Sequence, residues 1–265
     1  KCGVAEIMEL ALYYTTHKDV KHGDIYICFT PDEEIGQGAD RFDFDYFKAD
    51  FAYTADGSEV GGIEYENFNA ATVNLNFVGK SIHPGSAKNK LINAAHIAFE
   101  FHNMLPTFLN PAFTENYEGF NHLTQIQGQV EHAHTQYIIR NHDRELFQKQ
   151  KDDFIKIANY LNEKYQYKVV SIDIKDSYFN MYDIIKDHMY VVDLAKQATI
   201  NKGLTPRVEP IRGGTDGARL TYDGLICPNL GTGGYQFHGR LEFASIQQME
   251  KAVEIYKEII ALNAK

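Results

Sequence analysis

Residues 29–38 read FTPDEEIGQG, so Asp32, Glu33 and Glu34 stand in a row between an apolar run and two glycines. Neighbouring carboxylates resist joint ionisation, so a half-buried row of them requires a cation or a shared proton. As a solvated turn the row requires neither, because Asp, Glu and Gly are ordinary loop residues. The neighbours decide between these readings. Three more loops collect polar residues: TADGSEVGG with Asp56, IRGGTDGARL with Arg212, and TGGYQFHGRLEF with His238. If all four face one cleft, Glu33, Glu34, Asp56 and His238 form a carboxylate and imidazole set suited to zinc. Such a site keeps a position for water, which the metal acidifies, while a free carboxylate beside it carries the proton. Glu33 and Glu34 leave the backbone in different directions, so one can bind metal while the other acts as base.

Each residue also has a plainer reading. A lone histidine such as His238 is commonly a surface or hydrogen-bonded group. RGGTDG can be a Gly-rich turn that caps a helix through Thr215 or Asp216, and without a following Lys-Ser/Thr it is no Walker loop. Arg212 beside flexible glycine backbone suits bidentate capture of a carboxylate, and otherwise reads as a solvated charge. SIHPGSAKNK sets His83 in a Pro/Gly loop, as a structural histidine or a substrate contact. Arg140 in YIIRNH is either a strand-face cation or a substrate group.

The elements that must position these residues follow from periodicity. The pattern predicts a helix over 3–16, a strand over 24–30 (DIYICFT), a short helix near 40–47 and a strand over 51–56 (FAYTAD). Alternating helices and apolar strands predict α/β layering with a largely parallel sheet. Ligands of open α/β sheets bind past the strand ends, where the acidic row and Asp56 would lie. After Glu66 the texture changes: TVNLNFV alternates Thr72, Asn74 and Asn76 with Val73, Leu75 and Phe77, the mark of a strand with one wet face. A helix near 90–104, strands near 123–131 and 135–140, a helix over 143–165 and a strand in YKVVSIDIK complete a β-α-β-β-α-β order, that of a ferredoxin-like split unit. From about Asn180 the helix and strand alternation returns, with a helix over 184–202, RVEPI, GLICPNL and a closing helix over 245–263. The expected organisation is a catalytic domain in two parts, 1–66 and 180–265, interrupted by a lid over 67–179.

At 265 residues, 44% hydrophobic and 23% charged, the chain has the composition of a folded protein with a real core. Its net charge of −10 comes without a basic cluster, so a phosphate backbone is repelled and nucleic acid is not an expected partner. No apolar run approaches a membrane span of about 18 residues, so a membrane partner is not expected either. Cys2, Cys28 and Cys227 have no CxxC spacing and an odd count, which suggests neither a thiol metal site nor a disulfide framework and fits a reducing cytoplasm. The chain opens KCGVAEIMELALYY, without Met and already inside a helical pattern, so a segment upstream is expected.

Taken together, GDIYICFTPDEEIGQGA, AYTADG, ENFNAATVN, HPGSAKN, YEGF, YIIRNHDR, IRGGTDGARL, CPNLGTGGY and FHGRLEF resemble the co-catalytic dinuclear zinc exopeptidases, and among them the tripeptide aminopeptidases. The resemblance runs from the first residue to the last. It implies a zinc-binding α/β catalytic domain interrupted by a ferredoxin-like α+β lid, two zinc ions per complete site, small peptide substrates and a homodimer formed through the lid. It implies Glu33 as general base, Glu34 as ligand of one zinc, and Asp56 and His238 as ligands of the other. His83, Arg140 and Arg212 would hold substrate, gripping the developing oxyanion or the peptide carboxylate. The family also carries an upstream His-x-Asp motif and a bridging Asp, neither of which is in this sequence, so the resemblance is to the C-terminal two thirds. The expected activity is removal of the N-terminal residue of tripeptides. A related amide deacylase, or a non-catalytic folding or dimerisation module, are the alternatives.

Overall fold

The structure is a computed structural model that describes residues 1–264. It divides into two compact units, Lys1–Asn67 with Asn180–Lys265, and Phe68–Phe179.

In the first unit, helix α1 (Cys2–Thr16) packs on the closing helix α7 (Ile246–Asn263), which also packs on α5 (Tyr190–Asn201). Helix α7 begins where its sequence signals a start. Ser245 caps the Gln248 amide, and Ala252, Val253, Ile255, Tyr256 and Ile259 then line one buried face. Helix α1 buries Gly3, Glu6, Leu10 and Tyr14. Its apolar Val4, Met8 and Leu12 stay 50%, 56% and 57% exposed. Gly3 is the close-approach point, since a Cβ there would strike Ala55.

Strands β1 (Thr54–Gly57), β2 (Ile63–Glu64) and β7 (Asn229–Gly231) form a sheet in the order β1-β7-β2, with β1 parallel and β2 antiparallel to β7. The expected largely parallel sheet is therefore a small mixed one. Residues 24–30 are not a strand: their backbone finds no ladder partner among the described residues, and an extended segment has no hydrogen bonds of its own to fall back on. Residues 40–47 form turns and not a helix. The Asp43 carboxylate accepts the Tyr46 amide at 2.9 Å, offering the backbone an alternative to the helical bond. RVEPI contributes only isolated bridges at Arg207 and Ile211, since Pro210 has no amide to donate. The expected helix over 184–202 is interrupted between α4 (Tyr182–Ile185) and α5. Helix α6 (Asp216–Tyr222) precedes β7, and the two-residue strands β8 (Gly234–Tyr235) and β9 (Phe243–Ala244) make a hairpin before α7.

The second unit holds β3 (Asn69–Val78), α2 (Ala94–Met104), β4 (Phe120–Gly128), β5 (His132–Asn141), α3 (Arg144–Tyr165) and β6 (Val170–Tyr178). The strands pair antiparallel in the order β4-β5-β3-β6, the order of a ferredoxin-like split unit. Val73, Leu75 and Phe77 of β3 and Tyr137 and Ile139 of β5 share a core with Ile97 and Phe101 of α2 and Phe147, Phe154 and Leu161 of α3. Burying each such side chain stabilises the fold by roughly 1.5–3 kcal/mol. Asn93 and Asp143 cap α2 and α3, and Gln166 ends α3 in the left-handed conformation at φ 49°.

Candidate active site

Glu33 and Glu34 lie in a single 3-10 turn (Glu33–Ile35) bracketed by two left-handed residues, Asp32 at φ 65° and Gly36 at φ 72°. The turn closes on itself: the Gly36 amide donates to Glu33 O at 2.7 Å and the Gln37 amide to Asp32 O at 3.0 Å. Asp56 stands where the β1 and β7 register shifts between Ala55 and Gly57, a bulge that re-aims a side chain away from the ladder. His238 sits on the loop that joins β8 to β9, at φ 62° beside Gln236 at φ 56°. The hairpin below it is fixed by stacked Tyr235 and Phe243 rings and by the Tyr235 hydroxyl donating to Gln248 on α7 at 2.5 Å.

These elements bring four expected residues into one neighbourhood. His238 Nε2 lies 2.8 Å from Glu34 Oε2, with both side chains solvent-facing. The Glu33 carboxyl is pushed up to about 7, first by burial and then by the charges of Asp56, Asp216 and Glu34. Asp56 keeps solvent contact but is also raised, by the protein packed around its carboxylate and then by Asp216 and Glu34. Carboxylates that resist joint ionisation are the electrostatic signature of a cation or proton site. Among the described residues, however, no group of three or more His, Cys, Asp or Glu side chains is arranged to hold a metal ion. The donor types suit zinc, but their number falls short of the three protein ligands of a catalytic zinc, so the residues present do not fit a complete site. A cleft of about 800 Å³ runs from α1 past residues 24–30 to Glu33, Asp56 and Asp216.

Arg212 belongs to the same unit, half-buried in the loop after Ile211, whose amide donates to Glu66 O at 2.8 Å. His83 and Arg140 lie in the second unit and do not meet there. Arg140 pairs with Ala70 at the start of β3, while His83 follows the end of that strand. The His83 Nδ1 accepts the Gly85 amide at 3.1 Å and caps the turn Pro84–Ser86. Arg140 donates to Ile139 O at 2.8 Å and lies 5.4 Å from the Tyr178 ring centroid.

Two polar residues carry more of the geometry than the sequence suggests. Asn229 Oδ1 accepts from Thr54 and, at 3.0 Å, from Thr215, while its amide donates to Glu64 at 3.3 Å; one side chain thus joins β1, β2 and the start of α6. Asp216 is buried and accepts from Thr30 Oγ1 at 2.8 Å. In RGGTDG the helix cap is Thr215, which receives the Gly217 amide at 3.3 Å. Asp216 is left to face the acidic turn, a role that only long-range contact reveals.

Residues 65–167 match the family model of a peptidase dimerisation domain. Peptidase T of Clostridium perfringens (strain SM101 / Type A) is 51% identical over 265 residues, which are 100% of this chain and 65% of that protein. The crystal structure of the aminopeptidase PepT from Bacillus cereus ATCC 10987 matches 100% of this chain and 70% of its own with a TM-score of 0.86 at 24% identity. A tripeptidase structure from Staphylococcus aureus subsp. aureus Mu50 matches 99% and 70% with a TM-score of 0.87 at 22% identity. The chain is thus similar to peptidase T of Clostridium perfringens along its whole length and spans 65% of the length of that protein.

Proposed function

We propose that the protein is a metal-dependent aminopeptidase that releases the N-terminal residue of tripeptides, with zinc as the metal. The observation that carries this reading is the 51% identity to peptidase T over all 265 residues, which include the acidic turn, Asp56 and His238. Glu33 is the general base. Its carboxyl lies among Asp56, Asp216 and Glu34, and beside a bound metal it would stay free to take a proton from the attacking water and return it to the leaving amine. Glu34, Asp56 and His238 would be this chain's contribution to holding the metal, which would supply a Lewis acid and an acidified water. Arg212, His83 and Arg140 are the substrate-holding groups, with Arg212 suited to a peptide carboxylate. The peptidase dimerisation domain over residues 65–167 supports a second copy of the chain as the partner, within a cytoplasmic homodimer.

Hydrolysis by the protein isolated from its own cells is the test, with intact mass measured on the same sample. Tripeptides should be cleaved from the N-terminus and dipeptides and acyl amino acids spared. Preference for acyl amino acids would make it an amide deacylase. The shortfall of metal-holding groups among the described residues favours a second reading, a non-catalytic folding or dimerisation module. Absence of turnover in a sample of intact mass would select it.

A further inference from the structure

The acidic turn is a segment without a scaffold of its own. Among the described residues, its backbone bonds over 24–38 are all local and 24–30 join no ladder. Besides the Glu34 pair with His238 and the packing of Ile25 on the core, its ties to the frame come from α6. The Asp216 carboxylate accepts from Thr30 Oγ1 at 2.8 Å, just before the turn. On the far side, a Cβ at Gly38 would collide with the same carboxylate, so the backbone passes directly against it. Arg219, one helical turn on, pairs with Asp40 at 3.0 Å. Helix α6 is in turn locked to β1 through Thr215, Asn229 and Thr54, two residues before Asp56.

We propose that Asp216 is a positioning residue: seated between Thr30 and Gly38, it clasps both flanks of the acidic turn and registers Glu33 against Asp56. The inference rests on the reading of Glu33 as general base. Its geometric part, the clasp, stands apart from turnover. Thr30 needs an acceptor at position 216, Gly38 needs the space, and the charge is secondary to both.

Hydrogen exchange of the peptide spanning 29–40 tests the clasp in Asp216→Ala, Asp216→Asn, Thr30→Val and Gly38→Ala. Loss of the Thr30 bond together with the carboxylate seated against Gly38 should speed exchange of the turn at least about tenfold in Asp216→Ala. Gly38→Ala should match it, and Thr30→Val should move the same way. Asp216→Asn should stay within about threefold of the parent, because its Oδ1 still accepts from Thr30. Amides of α7 should not change. If they do in Asp216→Ala, the two flank variants decide, since neither alters the helix. Unchanged exchange in the flank variants, or Asp216→Asn as loose as Asp216→Ala, would overturn the clasp. In tripeptide hydrolysis Asp216→Ala should lower kcat, by roughly 10²-fold for a misplacement near 1 Å, with KM held within about twofold. A raised KM at unchanged kcat would overturn the registration of Glu33. These rates are read on the protein isolated from its own cells, with intact mass measured; if that parent turns over no tripeptide the aminopeptidase reading falls, while exchange still decides the clasp.

Discussion

Glu33 and Glu34 are adjacent in sequence and differ in surroundings: Glu34 faces solvent beside His238, whereas Glu33 is half-buried among like charges. On the proposed reading, that asymmetry would let Glu34 hold a metal while Glu33 exchanges protons. If Glu33 is the general base, Glu33→Gln in the protein isolated from its own cells keeps the shape while removing that base, so kcat should fall on the order of 10²-fold or more. Near-normal turnover would remove Glu33 from the mechanism. Arg212 offers a separable test. If it clamps the peptide carboxylate, Arg212→Ala should penalise tripeptides over their C-terminal amides by roughly 1.5–3 kcal/mol in kcat/KM, because the charge-assisted contact exists only with its anion. Equal losses on both would mark it as structural. The sequence makes Glu33, Glu34, Asp56 and His238 conspicuous by residue type. Asp216 and Asn229 are hidden because their importance lies in contacts across 186 and 175 residues, with Thr30 and Thr54.

Helix α1 shows what periodicity cannot settle. Its existence is plain from composition, but the stripe it buries is Gly3, Glu6, Leu10 and Tyr14 and not the more apolar one. Glu6 is almost wholly buried, receives the Tyr256 hydroxyl of α7 at 2.9 Å, and has no partner for its Oε1 among the described residues. Burial raises its carboxyl from 4.5 to about 7, a rise partly offset by the Tyr256 bond. A raised carboxyl stabilises the fold in its protonated form. This contribution is whole below about 4.5, shrinks as pH climbs and is gone above about 7. Glu6→Gln has no charge to bury, so it should gain on the parent by roughly 1–3 kcal/mol at pH 8 and by much less at pH 5. Urea midpoints at both pH values measure this, and a gap independent of pH would refute it. Elements whose own alternation marks the buried face are legible even when their partners are distant: the alternation of β3 puts Val73, Leu75 and Phe77 inside and Asn74 and Asn76 out, although it pairs with β5 and β6. Residues 24–30 and 40–47 mislead. Apolar content suggests a strand in the first, but strands exist only with neighbours; the alternating Asp and Phe of the second close turns and pack Phe42 against Phe44 and Phe47.

The molecule as a whole pairs a self-contained second unit, with its own four-stranded sheet and core, with a first unit whose sheet has three short strands and whose candidate site is short of ligands. Catalytic zinc takes three protein ligands and a water. Here His238 and Glu34 meet at 2.8 Å, and no third donor joins them in a metal-holding group among the described residues. Each such ligand lost removes a coordinate bond and leaves its neighbours' charges less compensated, so affinity should fall steeply and the acidic turn should take up a proton or relax toward solvent. The 265 residues studied alone should therefore bind zinc weakly and hydrolyse no tripeptide. Dimerisation through residues 65–167 would leave this unchanged unless the partner supplies a donor. Calorimetric titration with zinc, sedimentation and a tripeptide assay on one mass-verified sample separate the cases. Weak binding without turnover, in monomer and dimer alike, is the expected result. Two tight sites with turnover only in the dimer would place the missing donors on the second copy; the same result in the monomer would show that the donors already present suffice.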